Sequence, residues 1–189
     1  TSGDTWQTHT PESLGWDTSK IDALYNFLDD GSTRAFLVLK DGKIFFCGNG
    51  GSASDSQHLA TEFLVRLKPN LNRTAIPAMS LTLDSTALTA CGNDYSFSDV
   101  FKRPFQALAK KNDVLIAITT SGNSSNIIKV LKDAHSKKIT TLGFLGGSGG
   151  KCKKFCDIKL IVPSKSTARI QECHIFLGHF IFEQVAQVG

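Results

Sequence analysis

The chain has 189 residues, 41% hydrophobic and 20% charged, with a formal net charge of +4. This is the profile of a globular domain large enough to bury a substantial core, and it excludes a disordered or low-complexity chain. No run of about 18 apolar residues offers a membrane span, no basic-then-apolar leader opens the chain, and no basic run interleaved with aromatics suggests nucleic acid.

A mild positive charge suits an anionic small molecule as partner. The five cysteines, Cys47, Cys91, Cys152, Cys156 and Cys173, are odd in number and irregularly spaced. Cys47, Cys91 and Cys173 stand in apolar surroundings and read as buried thiols. Cys152 and Cys156 have no second pair at a zinc spacing. A reducing cytoplasm is the simplest setting.

Thr1 to Gly15 is polar and without periodicity, an arm rather than an element. Asp17 or Thr18 caps a helix through Ile21, Leu24, Phe27 and Leu28, stopping near Gly31. Between the apolar runs Ala35–Leu39 and Ile44–Phe46 lies Asp41-Gly42, which is either a hairpin turn or a helix C-terminus feeding a strand. The local signal leans to the hairpin.

From residue 43 strands alternate with helices. Strands are expected at 43–47, 76–82, 113–119, 140–145 and 158–162, and helices at 52–66, 84–91, 98–110, 124–137 and 167–187. A loop is expected from Gly92 to Phe97, and a short helix after the glycine-rich Gly146–Gly150. The strands are apolar throughout, as burial on both faces requires. This predicts an α/β fold, a doubly wound, flavodoxin-like parallel sheet with helices on both faces.

Two strand-to-helix loops carry the chemistry. Gly48-Asn49-Gly50-Gly51 breaks regular structure, and Ser52 follows as the expected N-cap, with Asp55 three residues on as a helix-start residue. Thr119-Thr120-Ser121-Gly122-Asn123-Ser124-Ser125-Asn126 is the second loop, rich in hydroxyls. Both lie at the C-terminal edge of a parallel sheet, where helix N-termini present bare N–H groups to an anion. Downstream of the first loop, His58 and Glu62 are four apart and share a helix face. The last helix sets Gln171, Glu172, His174 and His179 among apolar residues, so these polar groups must face something that satisfies them. His174 reads as a structural histidine hydrogen-bonded in the core.

These segments resemble the sugar isomerase (SIS) family and, within it, the phosphoheptose isomerases. The motifs are Gly-Asn-Gly-Gly-Ser at 48–52, Gly-Asn-Asp-Tyr at 92–95, Thr-Ser-Gly-Asn-Ser at 120–124, Ala-Arg-Ile-Gln-Glu at 168–172 and His179. The resemblance spans roughly residues 43 to 187. It implies a homotetramer and an aldose–ketose isomerase acting on sedoheptulose 7-phosphate, for heptose and surface-polysaccharide precursors. It also implies sugar-phosphate binding by Asn49, Gly50, Gly51, Ser52, Asn93, Asp94, Thr119, Thr120, Ser121, Ser124 and Gln171. One zinc per subunit is implied at His58, Glu62, Gln171 and His179, with Glu62 as base and His179 as acid. A non-catalytic protein of the same fold, a sugar-phosphate binder or the partner of a replication initiator, is the alternative. Glu62 and His179 weigh toward the enzyme.

The chemistry agrees with the residue types. Moving a carbonyl between C2 and C1 takes one proton from carbon and delivers another to oxygen, work suited to a carboxylate and an imidazole on opposite walls. Gln171 and His179 are about 12 Å apart along a straight helix. Their meeting at one ion requires converging side chains or a ligand from a neighbouring subunit. Residues 1–41 depart from the family as an atypical arm and short helix. They resemble instead the start of a β-lactamase-like serine hydrolase, without a Ser-x-x-Lys nucleophile motif. The SIS domain is therefore expected over 42–189.

Overall fold

The computed structural model describes residues 42–70 and 72–188. Five strands, β1 (Ile44–Gly48), β2 (Ala78–Ser80), β3 (Val114–Thr119), β4 (Thr140–Gly146) and β5 (Ile158–Val162), form one sheet. Their spatial order is β2-β1-β3-β4-β5, and every pairing is parallel. That is the flavodoxin-like order, whose chain direction switches between β1 and β3. The helices are α1 (Gly51–Leu64), α2 (Ser85–Asp94), α3 (Lys102–Leu108), α4 (Ser125–Ser136) and α5 (Thr167–Val188). Short 3-10 turns stand at Phe97–Asp99 and Gly150–Phe155.

Strand alternation divides the core between two faces. Phe45, Cys47, Leu115, Ala117 and Leu145 point to the face packed by Ile127, Val130 and Leu131 of α4 and by Phe105 of α3. Phe45 and Phe105 are both fully buried and meet edge-on at 5.3 Å between centroids. Burial of each ring contributes roughly 1.5–3 kcal/mol, and the edge-on contact about 0.5–1.5 kcal/mol more. On the opposite face Phe46 meets Phe63 of α1, and Phe63 meets Phe182 of α5.

The α1 and α5 contacts advance in step. Gln171 lies against Gly51, and Gly178 against Leu59, so closely that a β-carbon at either glycine would displace the facing side chain. Phe182 packs on Phe63, and just past the end of α1 Lys68 bridges to Glu183 at 3.0 Å. The two helices therefore run parallel, side by side, with their N-termini at the same edge of the sheet.

Several boundaries differ from expectation. Ser52 is not the N-cap of α1. Gly50 holds that place at φ 58°, without a side-chain cap bond. Ser52 is buried instead, so close under the end of β1 that a side chain at Gly48 would strike it. β2 shrinks to three residues, because Pro77 offers only a carbonyl, which accepts from the Ile44 N–H at 2.9 Å. α2 runs through Gly92 to Asp94 where a loop was expected. Asp84 caps its start by accepting from the Ala87 N–H, and Gly92 costs a helix interior only about 1 kcal/mol. The helix expected at 98–110 divides into the 3-10 turn Phe97–Asp99 and α3.

The expected helix after Asp17 and the segment 35–39 lie outside the described residues. Ile44–Phe46 cannot serve as a hairpin arm, because β2 and β3 occupy both of its edges. Cys173 is exposed, not buried. It shares the outward side of α5 with Phe176 and Phe180, which are also exposed. Cys152 and Cys156 are buried, and burial pushes their thiols up to about 12 and about 11, which makes them inert.

Candidate active site

The edge where β1 and β3 end carries both loops. Their link is a reciprocal amide pair across the switch point. Asn49 Nδ2 donates to Asn126 Oδ1 at 2.9 Å, and Asn126 Nδ2 donates to Asn49 Oδ1 at 2.8 Å. Asn126 is buried, so the pair fixes the two loops in register. Neither α1 nor α4 has a side-chain cap at its N-cap residue, Gly50 or Ser124. In contrast, α2, which starts away from the switch point, is capped by Asp84. Uncapped N-termini leave donors for an anion or water.

The hydroxyl-rich loop is braced internally. Thr119 is buried and its Oγ1 accepts from the Gly122 N–H at 3.2 Å. Ser121 is exposed, and its Oγ accepts from the Asn123 N–H at 3.1 Å, leaving its own proton free to donate. From behind, Gly122 presses on Gly149, leaving no room for a side chain. The Cys152 N–H donates to the Gly122 carbonyl at 2.8 Å. Thr120 and Ser124 are half-buried on the same loop. In the first loop Gly50 and Gly51 are exposed, and Gly50 has open space around its α-carbon. The Ser52 N–H is spent on the Asn49 carbonyl.

Two turns along α1, three ionisable groups converge. His58 Nε2 lies 2.8 Å from His179 Nε2 and 3.4 Å from Glu62 Oε1. The ligand atoms of His58, Glu62 and His179 all fall within 4.8 Å of one another. At the end of α1 Arg73 bonds the Glu62 and Phe63 carbonyls at 2.6 and 3.0 Å, which holds the last turn. Gln171 lies against Gly51, at the loop end of the same helix pair. Asn93 and Asp94 are exposed at the end of α2, where Asn93 Nδ2 donates to Asp94 Oδ1 at 2.8 Å. The structure thus groups His58, Glu62 and His179, sets the two loops beside them on one sheet edge, and leaves Asn93 and Asp94 bonded to each other.

Comparison with known proteins decides the family. The SIS domain matches residues 32–146. A phosphoheptose isomerase of Clostridium acetobutylicum is 51% identical over 143 residues, which cover 76% of this chain and 72% of that protein. That of Aliarcobacter butzleri is 49% identical over 162 residues, 85% of each chain. The solved phosphoheptose isomerase from Francisella tularensis superposes with a TM-score of 0.73 at 34% identity, over 89% of this chain and 84% of that one. The chain belongs to the phosphoheptose isomerase family.

Within this family frame the His/Glu cluster can be tested as a metal centre. Glu62 is half-buried, and its Oε2 is sealed from solvent with no hydrogen-bond partner. An orphaned carboxylate oxygen is costly unless something completes it. Two imidazole nitrogens beside a carboxylate form a donor set that suits a divalent metal of the zinc type. Among the described residues no other His, Cys, Asp and Glu side chains gather in this way.

The sequence reading missed two contributors. Asn126 was quoted only as part of its loop, although an amide in the first turn after a phosphate loop is well placed to lock that loop. Asp55 was read as a helix-start residue. Its Oδ2 is buried without a partner; burial raises its carboxyl pKa, and the nearby His58 charge draws it partly back. The three-residue spacing from Asp55 to His58 was the available signal. His174 is fully buried beside Phe144, a core histidine as expected, with the Leu145 backbone as the polar group that bears on its ring.

Proposed function

We infer that this chain is an aldose–ketose isomerase that interconverts sedoheptulose 7-phosphate and D-glycero-D-manno-heptose 7-phosphate. The observation that carries this reading is the convergence of His58, Glu62 and His179 beside two uncapped helix N-termini, in a chain 51% identical to a phosphoheptose isomerase.

Isomerisation of the ketose removes a proton from C1. The electron pair left behind forms the C1–C2 double bond of an enediol as the C2 oxygen gains a proton. Loss of the proton on the C1 oxygen and return of a proton to C2 then leaves the aldehyde. Glu62 is the group for the carbon-bound proton and His179 for the oxygen-bound one, because they flank a single point from two different helices. Thr119, Thr120, Ser121 and Ser124, with Asn49, Gly50, Gly51 and Ser52, form the cradle for the phosphate and sugar hydroxyls. Asn93 and Asp94 complete the substrate set. Gln171, against Gly51, holds the sugar between cradle and cluster.

The metal in this reading is zinc, held by His58, Glu62 and His179, with the Gln171 side-chain oxygen as a further ligand. When bound it supplies a Lewis acid for the substrate carbonyl. The exposed Phe176 and Phe180 on α5 and the exposed Tyr95 and Phe97 support assembly into a homo-oligomer, in this reading a tetramer. Five free thiols support a reducing cytoplasm, and the heptose product fits a role in surface-polysaccharide synthesis. In this reading residues 1–41 are an atypical arm and short helix ahead of an SIS domain at 42–189.

The test is turnover of sedoheptulose 7-phosphate by purified protein, with and without a chelator. Conversion to the aldose that chelation abolishes and zinc restores is the expected result. No conversion by metal-loaded protein would overturn the assignment.

A further inference from the structure

The sheet face opposite the His58–Glu62–His179 cluster carries a feature that the isomerase reading does not use. Where the 3-10 turn Gly150–Phe155 meets β5, a cavity of about 430 Å³ opens to solvent. Gly150, Lys151, Lys153, Lys154 and Lys159 line it. Lys159 pairs in register with Gly143, whose own packing is against Cys156, so the cavity belongs to the α4 side of the sheet. Four lysines therefore line one small space, and among the described residues no carboxylate lines it.

Elsewhere the described lysines often find acids. Lys68, Lys129 and Lys137 each hold a carboxylate, at 3.0, 2.9 and 3.0 Å respectively. Among the described residues none of the four cavity lysines has an ion pair; Lys154 rests over the Phe155 ring at 5.0 Å. Like charges gathered around a concave surface repel one another and raise the local concentration of anions. Ammonium groups bind phosphate as mobile point charges rather than through a planar fork, so the site selects for charge density over shape.

The position adds a second argument. Gly150 packs so closely on Ser121 and Gly122 that a side chain there would overlap them. The Lys151 N–H donates to Asn123 Oδ1 at 3.1 Å. The lysine cavity and the hydroxyl-rich loop are thus the two sides of one backbone contact.

We propose that the cavity lined by Lys151, Lys153, Lys154 and Lys159 is a second anion site, which takes a compact di- or triphosphate group. A single phosphate monoester would neutralise only about half of the lysine charge, whereas a triphosphate matches it. The site stands apart from the isomerase assignment, since its test is binding and not turnover.

Tripolyphosphate titrated into the full chain at low ionic strength, followed by calorimetry, reads the site directly. Saturable binding is expected, weakened by added salt. The exposed double substitution K153A/K159A should lower affinity by roughly tenfold or more, the scale of two lost charge-assisted contacts. K151A/K154A provides an independent pair should the first variant fold poorly. Ser121→Ala should retain the part of the binding that the lysine variants lose, because Ser121 does not line the cavity. Absence of saturable binding would overturn the proposal. So would binding that survives both lysine pairs, or that is lost in Ser121→Ala.

Discussion

The two loops at the switch point are built from similar residues and behave differently. Gly50 and Gly122 both take positive φ, 58° and 64°. Gly50 stands in open space, whereas Gly122 is buried against Gly149 and Gly150. The first loop feeds α1, which carries His58 and Glu62 into the ionisable cluster. The second feeds α4, whose first turn offers serines and Asn126 rather than ionisable groups. The first loop is therefore open on the side of the His58–Glu62–His179 cluster, and the second is braced from behind. Similar loop composition thus ends in two different environments, set by what packs behind each glycine.

The largest effect tests the reacting side. In the proposed mechanism Glu62→Gln removes the proton acceptor with little change of shape, and turnover should fall about 10²–10⁴-fold, the usual contribution of a positioned acid–base group. Binding of the sugar phosphate to that variant should persist in calorimetry.

A matched pair of glycine substitutions compares the loops themselves. Gly122→Ala meets both the positive φ and the Gly149 carbonyl, and should destabilise the protein by roughly 2–4 kcal/mol in denaturant unfolding. Gly50→Ala meets the φ cost alone, about 1–2 kcal/mol. Equal losses would show that the second loop is no more tightly braced than the first. On the binding side, Ser121→Ala should weaken sugar-phosphate affinity by about 1–3 kcal/mol. An unchanged dissociation constant would remove that hydroxyl from the cradle.

The smallest effect concerns the core beneath α5. Burial holds the His174 pKa below its ordinary 6.5, and the nearby Leu145 backbone offsets only part of that. Folded protein therefore binds fewer protons there than unfolded chain once pH drops below 6.5. The stability contributed by neutral His174 is complete above that pH and is lost as pH falls toward the folded value, at up to about 1.4 kcal/mol per pH unit. His174→Phe should flatten the pH dependence of the unfolding midpoint between pH 6.5 and acid. An unaltered slope would place the acid sensitivity elsewhere.

Much of this was legible in the chain itself. Continuous apolar runs such as Val114–Thr119 announce a strand buried on both sides, and their alternation with helices announces a parallel sheet. His58 and Glu62 were visible as a pair because helical spacing is local. Their meeting with His179 rests on the parallel packing of α1 and α5, which no local pattern encodes. Helix ends were less legible. Gly92 looks like a stop but lies inside α2, because the Asp84 cap and the packing of Cys91 outweigh one glycine. Ser52 looks like a cap but is drawn under the sheet by the close approach of Gly48. Cys173 was misread because apolar neighbours in sequence, Ile170 and Phe176, face opposite ways on the helix.

The central claim is that Glu62 moves a proton between substrate carbons. Its most direct test is isomerisation in deuterated water, with the label read by NMR at C2 of the product. The account predicts deuterium at C2 with metal-loaded wild-type protein, as the proton held on Glu62 exchanges with solvent, and label and product formed at least about 10²-fold more slowly with Glu62→Gln that still binds the sugar phosphate. Deuterium incorporation at the wild-type rate in Glu62→Gln would contradict it.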